Sequence, residues 1–208
     1  LLKIVGELYG LKVHTCYSNM DQPLGDYAGL WCEVLESIEC LKGNGSDDIM
    51  DLVYYLLKKA HMLFNLDFKI DDIDFIINEG IALNKFYEMI SAHGGSIKAL
   101  ENKKINVPLF KGEICSEKAG YISFIETDKI GMALAYLSGE KGKKGVRGLD
   151  FSAGIKFLKK VGDCVENNEI VMEYFCSNKD NFEKCKSKLD KTFFVQFGKK
   201  KSLDILFR

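Results

Sequence analysis

The sequence predicts a mixed α/β protein, with helices concentrated in residues 1–105 and a small β-rich domain in residues 106–208. Two observations lead to this fold class. In the first region the apolar residues recur at helical spacing over long segments, whereas from Phe110 onward they form short runs separated by glycine. The change occurs near Pro108, so we place the domain boundary just before that residue.

The composition is that of an ordinary globular protein, with 47% hydrophobic and 28% charged residues in a chain of 208. The 30 acidic and 29 basic residues nearly cancel, which argues against electrostatic attraction to nucleic acid. No apolar run approaches the length of about 18 residues that a membrane-spanning helix needs. The seven cysteines lack the spacing of zinc or redox motifs. We therefore expect reduced thiols, a cytoplasmic protein, and neither nucleic acid nor membrane as a partner.

A short helix and a strand are predicted first. Residues 1–10, LLKIVGELYG, are typical of the last turns of a helix that Gly10 closes. Because the chain starts in the middle of such a unit and without methionine, we expect a fragment or a processed chain. Residues 12–18 are rich in β-formers and predict a buried strand of an α/β unit.

The segment DYAGLWCEVLESIECLKGNG, after the turn MDQPLG, predicts the first long helix. Val34, Ile38 and Leu41 are spaced to share one face, while the three glutamates lie on other faces. Asp26 is the predicted N-cap and Gly43 the predicted C-cap.

More helices follow before the boundary. In SDDIMDLVYYLLKKAHMLFN, Ser46 would cap a helix whose first turn carries two aspartates. Residues 71–95 predict one or two helices around Gly80, which stop at Gly94 and Gly95.

Short strands are predicted beyond the boundary. The segments GYISFIET, IGMALAYLSG, LDFSAGIKFLKKVGD and EIVMEYF are the apolar runs from which we expect the β-rich domain. A helix is predicted over NKDNFEKCKSKLDKTF, before a short tail. The lysine-rich stretches GEKGKKGVRG and GKKKS are typical of solvated surface.

Several of these segments resemble the thymidine phosphorylase and pyrimidine-nucleoside phosphorylase family. SNMDQPLGDYAGLWCEVLESIECLKGNGSDDIMDL is similar to the family's T-D-M-x-Q-P-L-G, G-N-x-L-E-V and L-K-G-x-G-P-x-D-L motifs. GIALNKFYEMISAHGGS and LDFSAGIKFLKKVGDCVENNEIV resemble two later family motifs in the same order. The resemblance implies the C-terminal part of such an enzyme, ending in a barrel-sandwich domain of the α/β-hammerhead kind.

The resemblance also implies a function. Family members are typically homodimers that convert a pyrimidine nucleoside and phosphate reversibly into free base and pentose 1-phosphate, without an organic cofactor. Their phosphate and pyrimidine ligands come from upstream segments, such as a Lys-His-Ser motif that this chain lacks. Because phosphorolysis needs cationic and N–H donors around phosphate and base, we expect the chain alone to be inactive. The alternative is a non-catalytic fragment or pseudoenzyme that acts as an interaction module.

A monovalent cation, taken as potassium, is the one inorganic cofactor that the resemblance implies. The positions that correspond to its ligands are the backbone carbonyls of Leu24 and Tyr27 and the carboxylate of Glu36. Oxygen ligands without sulfur or imidazole suit such a hard cation. The alternative is that Glu36 only occupies a polar helix face. Pro23 and Gly25 make the turn rigid, so it can direct its carbonyls at one point.

Two features modify the resemblance. The family has a small residue where this chain has Tyr27, and Gly-Asn where it has Gly29 and Leu30, followed by Trp31. We expect this tryptophan to lie in the core, and the alternative is that it stacks against something in the cleft. KKVGDCVENNEIVMEY also resembles biotinyl- and lipoyl-carrier domains, but a carrier needs a modified lysine on a tight turn, and the Met-Lys-Met motif typical of it is absent from this sequence.

Overall fold

The structure, a computed structural model, describes residues 1–64, 69, 72–102, 104–139 and 148–204. The lysine-rich residues 140–147 lie outside the described residues. The region before the boundary consists mainly of helices: α1 (Leu2–Leu8), β1 (Tyr27–Ala28), α2 (Leu30–Leu41), α3 (Asp47–Phe64), α4 (Asp72–Asn78), α5 (Ile81–Ala92) and α6 (Ile97–Glu101). Strands and two helices alternate after it: β2 (Phe110–Cys115), β3 (Gly120–Ile125), α7 (Thr127–Leu137), β4 (Gly154–Phe157), β5 (Cys164–Val165), β6 (Ile170–Cys176), α8 (Lys179–Leu189) and β7 (Phe193–Gln196).

The described strands form two antiparallel sheets. The first has the order β1–β4–β6–β2 and the second the order β5–β3–β7. Neither sheet closes into a barrel within the described residues. These residues therefore form a mixed α/β fold with open sheets. β1 is unusual, because it belongs to the helical region but pairs with β4, with Tyr27 opposite Lys156 and Ala28 opposite Ile155. The two regions therefore share one sheet.

One hydrophobic core occupies the second region. Its members come from both sheets and from the inner faces of α7 and α8, and the fully buried ones include Ile122, Leu137, Ile155, Met172 and Leu189. In the strands the burial alternates, as in β6, where Met172 and Tyr174 are buried while Glu173 and Phe175 are only half-buried. The first sheet thus turns one face to the core and the other toward α2.

Several predicted helix ends are confirmed. α1 ends before Gly10, and α2 ends before Gly43, whose N–H donates to the carbonyl of Cys40 at 3.0 Å. Residues 71–95 form two helices separated at Gly80, and α8 begins after Asn178, whose side chain accepts the N–H of Asn181 at 3.0 Å. Local capping chemistry is legible in the sequence because it involves residues only a few positions apart.

The predicted N-cap of α2 is wrong. The helix begins at Leu30, three residues later than an N-cap at Asp26 implies, and Gly29 occupies the cap position. The N–H of Gly29 donates to Glu33 Oε1 at 2.8 Å. A glutamate in the first turn of the helix thus satisfies the backbone N–H of the cap residue. Asp26 instead belongs to the preceding turn, which is described below.

Two predicted strands are also wrong. Residues 12–18 form no strand, apart from one bridging residue at Ser18, and most of their side chains are exposed. β-formers make a strand only beside another strand, and no described strand runs along this segment. IGMALAYLSG lies mainly in α7, where Ile130, Ala133 and Leu137 are buried. Their spacing of three and four residues is helical, a period that the glycine-bounded apolar run conceals.

Two further observations concern the cysteines and the length of the helices. All seven cysteines lie among the described residues and none forms a disulfide. Cys32 is buried against the first sheet, and burial raises the pKa of its thiol to about 11, so it remains protonated as a small apolar side chain. None of the described helices combines the length and apolar character that a bilayer crossing requires.

Candidate functional site

The turn around Gly25 is the most constrained backbone near the predicted cation ligands. Gly25 has a φ of +74°, and a Cβ there would lie 2.4 Å from Ile49 Cδ1 and 2.8 Å from Glu36 Oε2. A side chain at this position would therefore be strained and would also displace the carboxylate. The unusual φ expected at Gly25 is confirmed, and the absence of a side chain is what lets Glu36 approach the backbone.

Glu36 faces this turn rather than open solvent. Its Oε1 accepts the N–H of Asp26 at 2.6 Å. Burial raises the pKa of Glu36 above its ordinary value, the negative charge of Asp26 adds to that rise, and the hydrogen bond from Asp26 partly offsets it. A raised pKa in a carboxylate means that its ionised form is short of compensating charge. A cation at the turn would supply that charge.

The structure brings the three predicted ligand residues to one turn. Glu36 reaches Gly25 and Asp26, which stand between Leu24 and Tyr27 in the chain. The carbonyl of Asp26 accepts the N–H of Phe157 of β4 at 2.7 Å, and successive carbonyls alternate along an extended strand, so that of Tyr27 is directed away from β4.

The donor set fits a monovalent cation. Among the described residues, no three histidine, cysteine, aspartate or glutamate side chains cluster closely enough to hold a metal ion. The predicted ligands, one carboxylate and two backbone carbonyls, are all oxygens, a set that suits a hard cation.

A second carboxylate supports the same turn. Asp48, in the first turn of α3, accepts the N–H of Gly25 at 3.2 Å and the hydroxyl of Ser46 at 2.8 Å. It also forms an ion pair with Lys160, and the two side chains are only 18% and 20% exposed. Burial alone would raise the pKa of Asp48, but the bonds from Lys160 and Ser46 outweigh burial, and the pKa lies below its ordinary value.

The turn is fastened to the β-rich region by further contacts. Gln22 is buried, and its side-chain oxygen accepts the N–H of Val161 at 3.0 Å. At Gly29 a Cβ would lie 2.6 Å from the carbonyl oxygen of Ala153, so only glycine allows β1 to approach β4 this closely. Together with the Asp48–Lys160 pair, these contacts hold residues 22–29 against β4 and the turn that follows it.

Sequence reasoning missed Gln22, Asp48 and Lys160 as parts of this arrangement. The sequence indicates Asp48 only as a charge in the first turn of a helix. It indicates Lys160 only as part of a segment that resembles family and carrier-domain motifs. The two residues are 112 positions apart, and no local spacing connects them. The available signal was that both lie within segments similar to family motifs.

The three histidines and Trp31 lie apart from the turn's hydrogen bonds. His14 is exposed, His61 lies in α3, and exposed His93 places its Nδ1 2.8 Å from the carbonyl oxygen of Met89. The core prediction for Trp31 is wrong: the side chain is half-buried and lines a cleft between α2 and the first sheet. Trp31 lies at the beginning of α2, opposite a face of the first sheet that bears charged residues. The cleft leaves space beside its ring.

The family model for the pyrimidine nucleoside phosphorylase C-terminal domain matches residues 121–195. A thymidine phosphorylase of Metamycoplasma hominis is 32% identical over 187 residues, which are 86% of this chain and 67% of that protein. A pyrimidine-nucleoside phosphorylase of Bacillus subtilis is 30% identical over 193 residues, covering 89% of this chain and 43% of that protein. One of Staphylococcus epidermidis is 33% identical over 183 residues, covering 85% and 42%. The chain thus spans two thirds of the first relative and less than half of the other two.

Proposed function

The chain belongs to the thymidine and pyrimidine-nucleoside phosphorylase family, and on this premise we propose that it is the C-terminal part of a pyrimidine-nucleoside phosphorylase. The complete enzyme would convert a pyrimidine nucleoside and phosphate reversibly into the free base and a pentose 1-phosphate. The similarity over 187 residues to a thymidine phosphorylase is the observation that carries this proposal. The proposal includes a cytoplasmic homodimer and a hammerhead-like architecture for the β-rich domain.

We propose that residues of this chain form a turn that binds potassium, called the potassium turn below. The carbonyls of Leu24 and Tyr27 and the carboxylate of Glu36 would bind the cation. When bound, it would supply a fixed positive charge near the phosphate. Burial, together with the charge of Asp26, raises the pKa of Glu36 although Lys160 opposes the rise, and a cation at the turn would stabilise the ionised carboxylate. The Asp48–Lys160 pair and Gln22 would act as positioning residues that keep the turn against the β-rich region.

Activity should require more than these 208 residues. We expect no phosphorolysis of thymidine or uridine by the purified chain, because the phosphate and base ligands of the family lie in upstream motifs that it lacks. The measurement is release of thymine or uracil in phosphate buffer, with protein from a host without its own pyrimidine phosphorylases. A longer protein that contains this chain and the upstream motifs should release the base. Failure of that longer protein to do so would contradict the proposed function.

The role of Glu36 is testable in the same longer protein. Glu36→Gln removes a full charge from the turn, so the apparent affinity for potassium should fall on the order of tenfold. The KM for phosphate should rise more than the KM for the nucleoside, because the turn would support the phosphate side of the site. High potassium should restore part of the loss, and sodium should not.

Glu33→Gln is the matched control. Glu33 lies one turn earlier on α2 and also accepts a backbone N–H, but its side chain is exposed and its partner is Gly29. This variant should keep the potassium dependence of the parent. If Glu36→Gln also leaves the potassium dependence and the phosphate KM unchanged, Glu36 only fastens the turn and the cation assignment is wrong.

A further inference from the structure

A cleft of about 690 Å³ lies between α2 and the outer face of the first sheet. Trp31, Leu35 and Ile38 of α2 form one wall, and Glu173 and Phe175 of β6 belong to the opposite one. This volume is within the range of clefts that bind small molecules. Tyr27 lines the cleft and Glu36 does not, so the cleft adjoins the proposed potassium turn but does not include its carboxylate.

Two aromatic rings line the cleft and are partly exposed. Trp31 and Phe175 are both half-buried and line opposite walls. Of the aromatic pairs that the described residues form, none involves either ring. Gly154 lies opposite Phe175 across the strands, and a Cβ there would come within 2.7 Å of the Phe175 ring. Phe175 therefore packs against the backbone of Gly154, with Cys32 Sγ close to the same position, and the ring also lines the cleft. A planar molecule could stack on such a surface.

Three charged side chains stand beside these rings on the sheet. Lys156 and Glu173 are cross-strand partners on β4 and β6, and Lys111 on β2 lies opposite Phe175. Lys156 also lies 5.5 Å from the centre of the Tyr27 ring. Within the described part of the chain, no hydrogen bond or ion pair involves any of these three charged groups. These three groups therefore offer two cationic hydrogen-bond donors and one acceptor that no group of the described residues hydrogen-bonds, and the carboxylate of Glu101 also lines the cleft.

We propose that this cleft binds a planar heteroaromatic molecule of the nucleobase class. The ring would stack on Trp31 or Phe175, its carbonyl or ring-nitrogen acceptors would bind Lys111 and Lys156, and a ring N–H would donate to Glu173. A purely apolar ring leaves all three charged groups without partners. A simple aromatic anion leaves the Glu173 carboxylate facing a like charge. A heterocycle with both acceptors and a donor satisfies all three.

Trp31 reports directly on this cleft because it is the only tryptophan in the chain. The test titrates the 208-residue chain with uracil and with adenine, and exciting Trp31 at the red edge of its absorption avoids absorption by the bases. We expect saturable quenching by at least one base with a Kd of about 1 mM or below, typical of a fragment-sized ligand. Benzyl alcohol, an aromatic ring without ring heteroatoms, should bind at least about tenfold more weakly.

Variants identify the polar contacts. Lys111→Met, Lys156→Met and Glu173→Gln should each weaken binding roughly five- to tenfold, the loss expected for one hydrogen bond of ordinary strength. Lys184→Met, at an exposed position of α8, is the control for removing a lysine. Glu173→Gln keeps the side-chain volume, so it tests recognition even where a methionine variant folds poorly.

Three results would overturn the proposal. They are the absence of saturable quenching by either base, equal affinity for benzyl alcohol, and parental affinity in Glu173→Gln together with the two lysine variants. The second result would show a cleft that only collects apolar rings. The third would place the bound base elsewhere on the chain. None of these three results affects the family assignment, because that assignment rests on the sequence similarity.

Discussion

The β-rich region and the helical region differ in how they are stabilised. Every buried apolar residue between Ile114 and Leu189 belongs to one connected core. The described part of the helical region contributes four buried apolar side chains, namely Cys32, Ile38, Ile73 and Ile77. The long helix α3 has none, and in α1 Leu2 and Leu8 are 86% and 81% exposed.

This difference shows that amphipathic sequence and buried structure are separate properties. α3 has a regular apolar stripe and α7 a less regular one, yet only α7 lies on a sheet that covers its apolar side chains. A helix gains most of its stability from the partner that buries its apolar face, not from its own periodicity. In the helical region the turn of residues 22–29 is the segment most firmly attached, and polar contacts to the β-rich region attach it.

Separating the two regions should have the largest effect. We expect residues 106–208 alone to fold cooperatively, because the core cluster lies almost entirely within them. Residues 1–105 alone should lose most tertiary structure, because few of their side chains are buried. Amide NMR spectra of the two pieces check this.

Poorly dispersed spectra from residues 106–208 would place the domain boundary elsewhere. The piece also lacks β1, so the edge of β4 is uncovered, and pairing of β4 edges between molecules at high concentration is the expected side effect. Restoring residues 22–105 should remove that association.

Truncating matched leucines should sharpen the contrast. Leu137→Ala, in the core with 0% exposure, should lower the free energy of unfolding by about 2–5 kcal/mol. Leu56→Ala, on α3 with 45% exposure, should lower it by less than about 1 kcal/mol. Urea denaturation followed by circular dichroism gives both values. Similar losses at the two positions would mean that the helical region is as well packed as the β-rich one.

Breaking the ion pair between the regions should have a smaller effect. Asp48→Asn leaves Lys160 without its counter-charge in a mostly buried position, and we expect a loss of about 1–3 kcal/mol at neutral pH. Asp47→Asn, the exposed neighbour in the same helical turn, is the control and should change little. Thermal denaturation of both variants measures the difference.

The same pair gives a pH dependence with a defined sign. The pKa of Asp48 is lowered in the folded chain, so its contribution to stability is fully present above the ordinary value of 3.8 and is lost as the pH falls through the lower folded value. The difference in stability between the parent and Asp48→Asn should therefore shrink below about pH 4. A difference that stays constant down to pH 2 would show that the charge of Asp48 contributes nothing.

Much of the local structure follows from the sequence. The helix ends at Gly10, Gly43 and Gly80, the cap at Asn178 and the strands β3, β4 and β6 all lie within predicted segments. The two predicted strands that failed, over residues 12–18 and within α7, share a cause. The composition of each segment shows that it is apolar. Whether its apolar side chains lie within a sheet, pack on one or stay exposed depends on the elements beside it in the fold.

The turn around Gly25 was predictable as a rigid element, and the family resemblance marked Leu24, Tyr27 and Glu36 as its functional residues. The sequence by itself determined the helices, the turn and the family, because capping, glycine conformation and motif order act over short separations. Only the tertiary structure joined β1 to β4, paired Asp48 with Lys160 and opened the cleft beside Trp31. These contacts connect residues more than 70 positions apart, and which distant groups meet depends on how the whole chain packs its core.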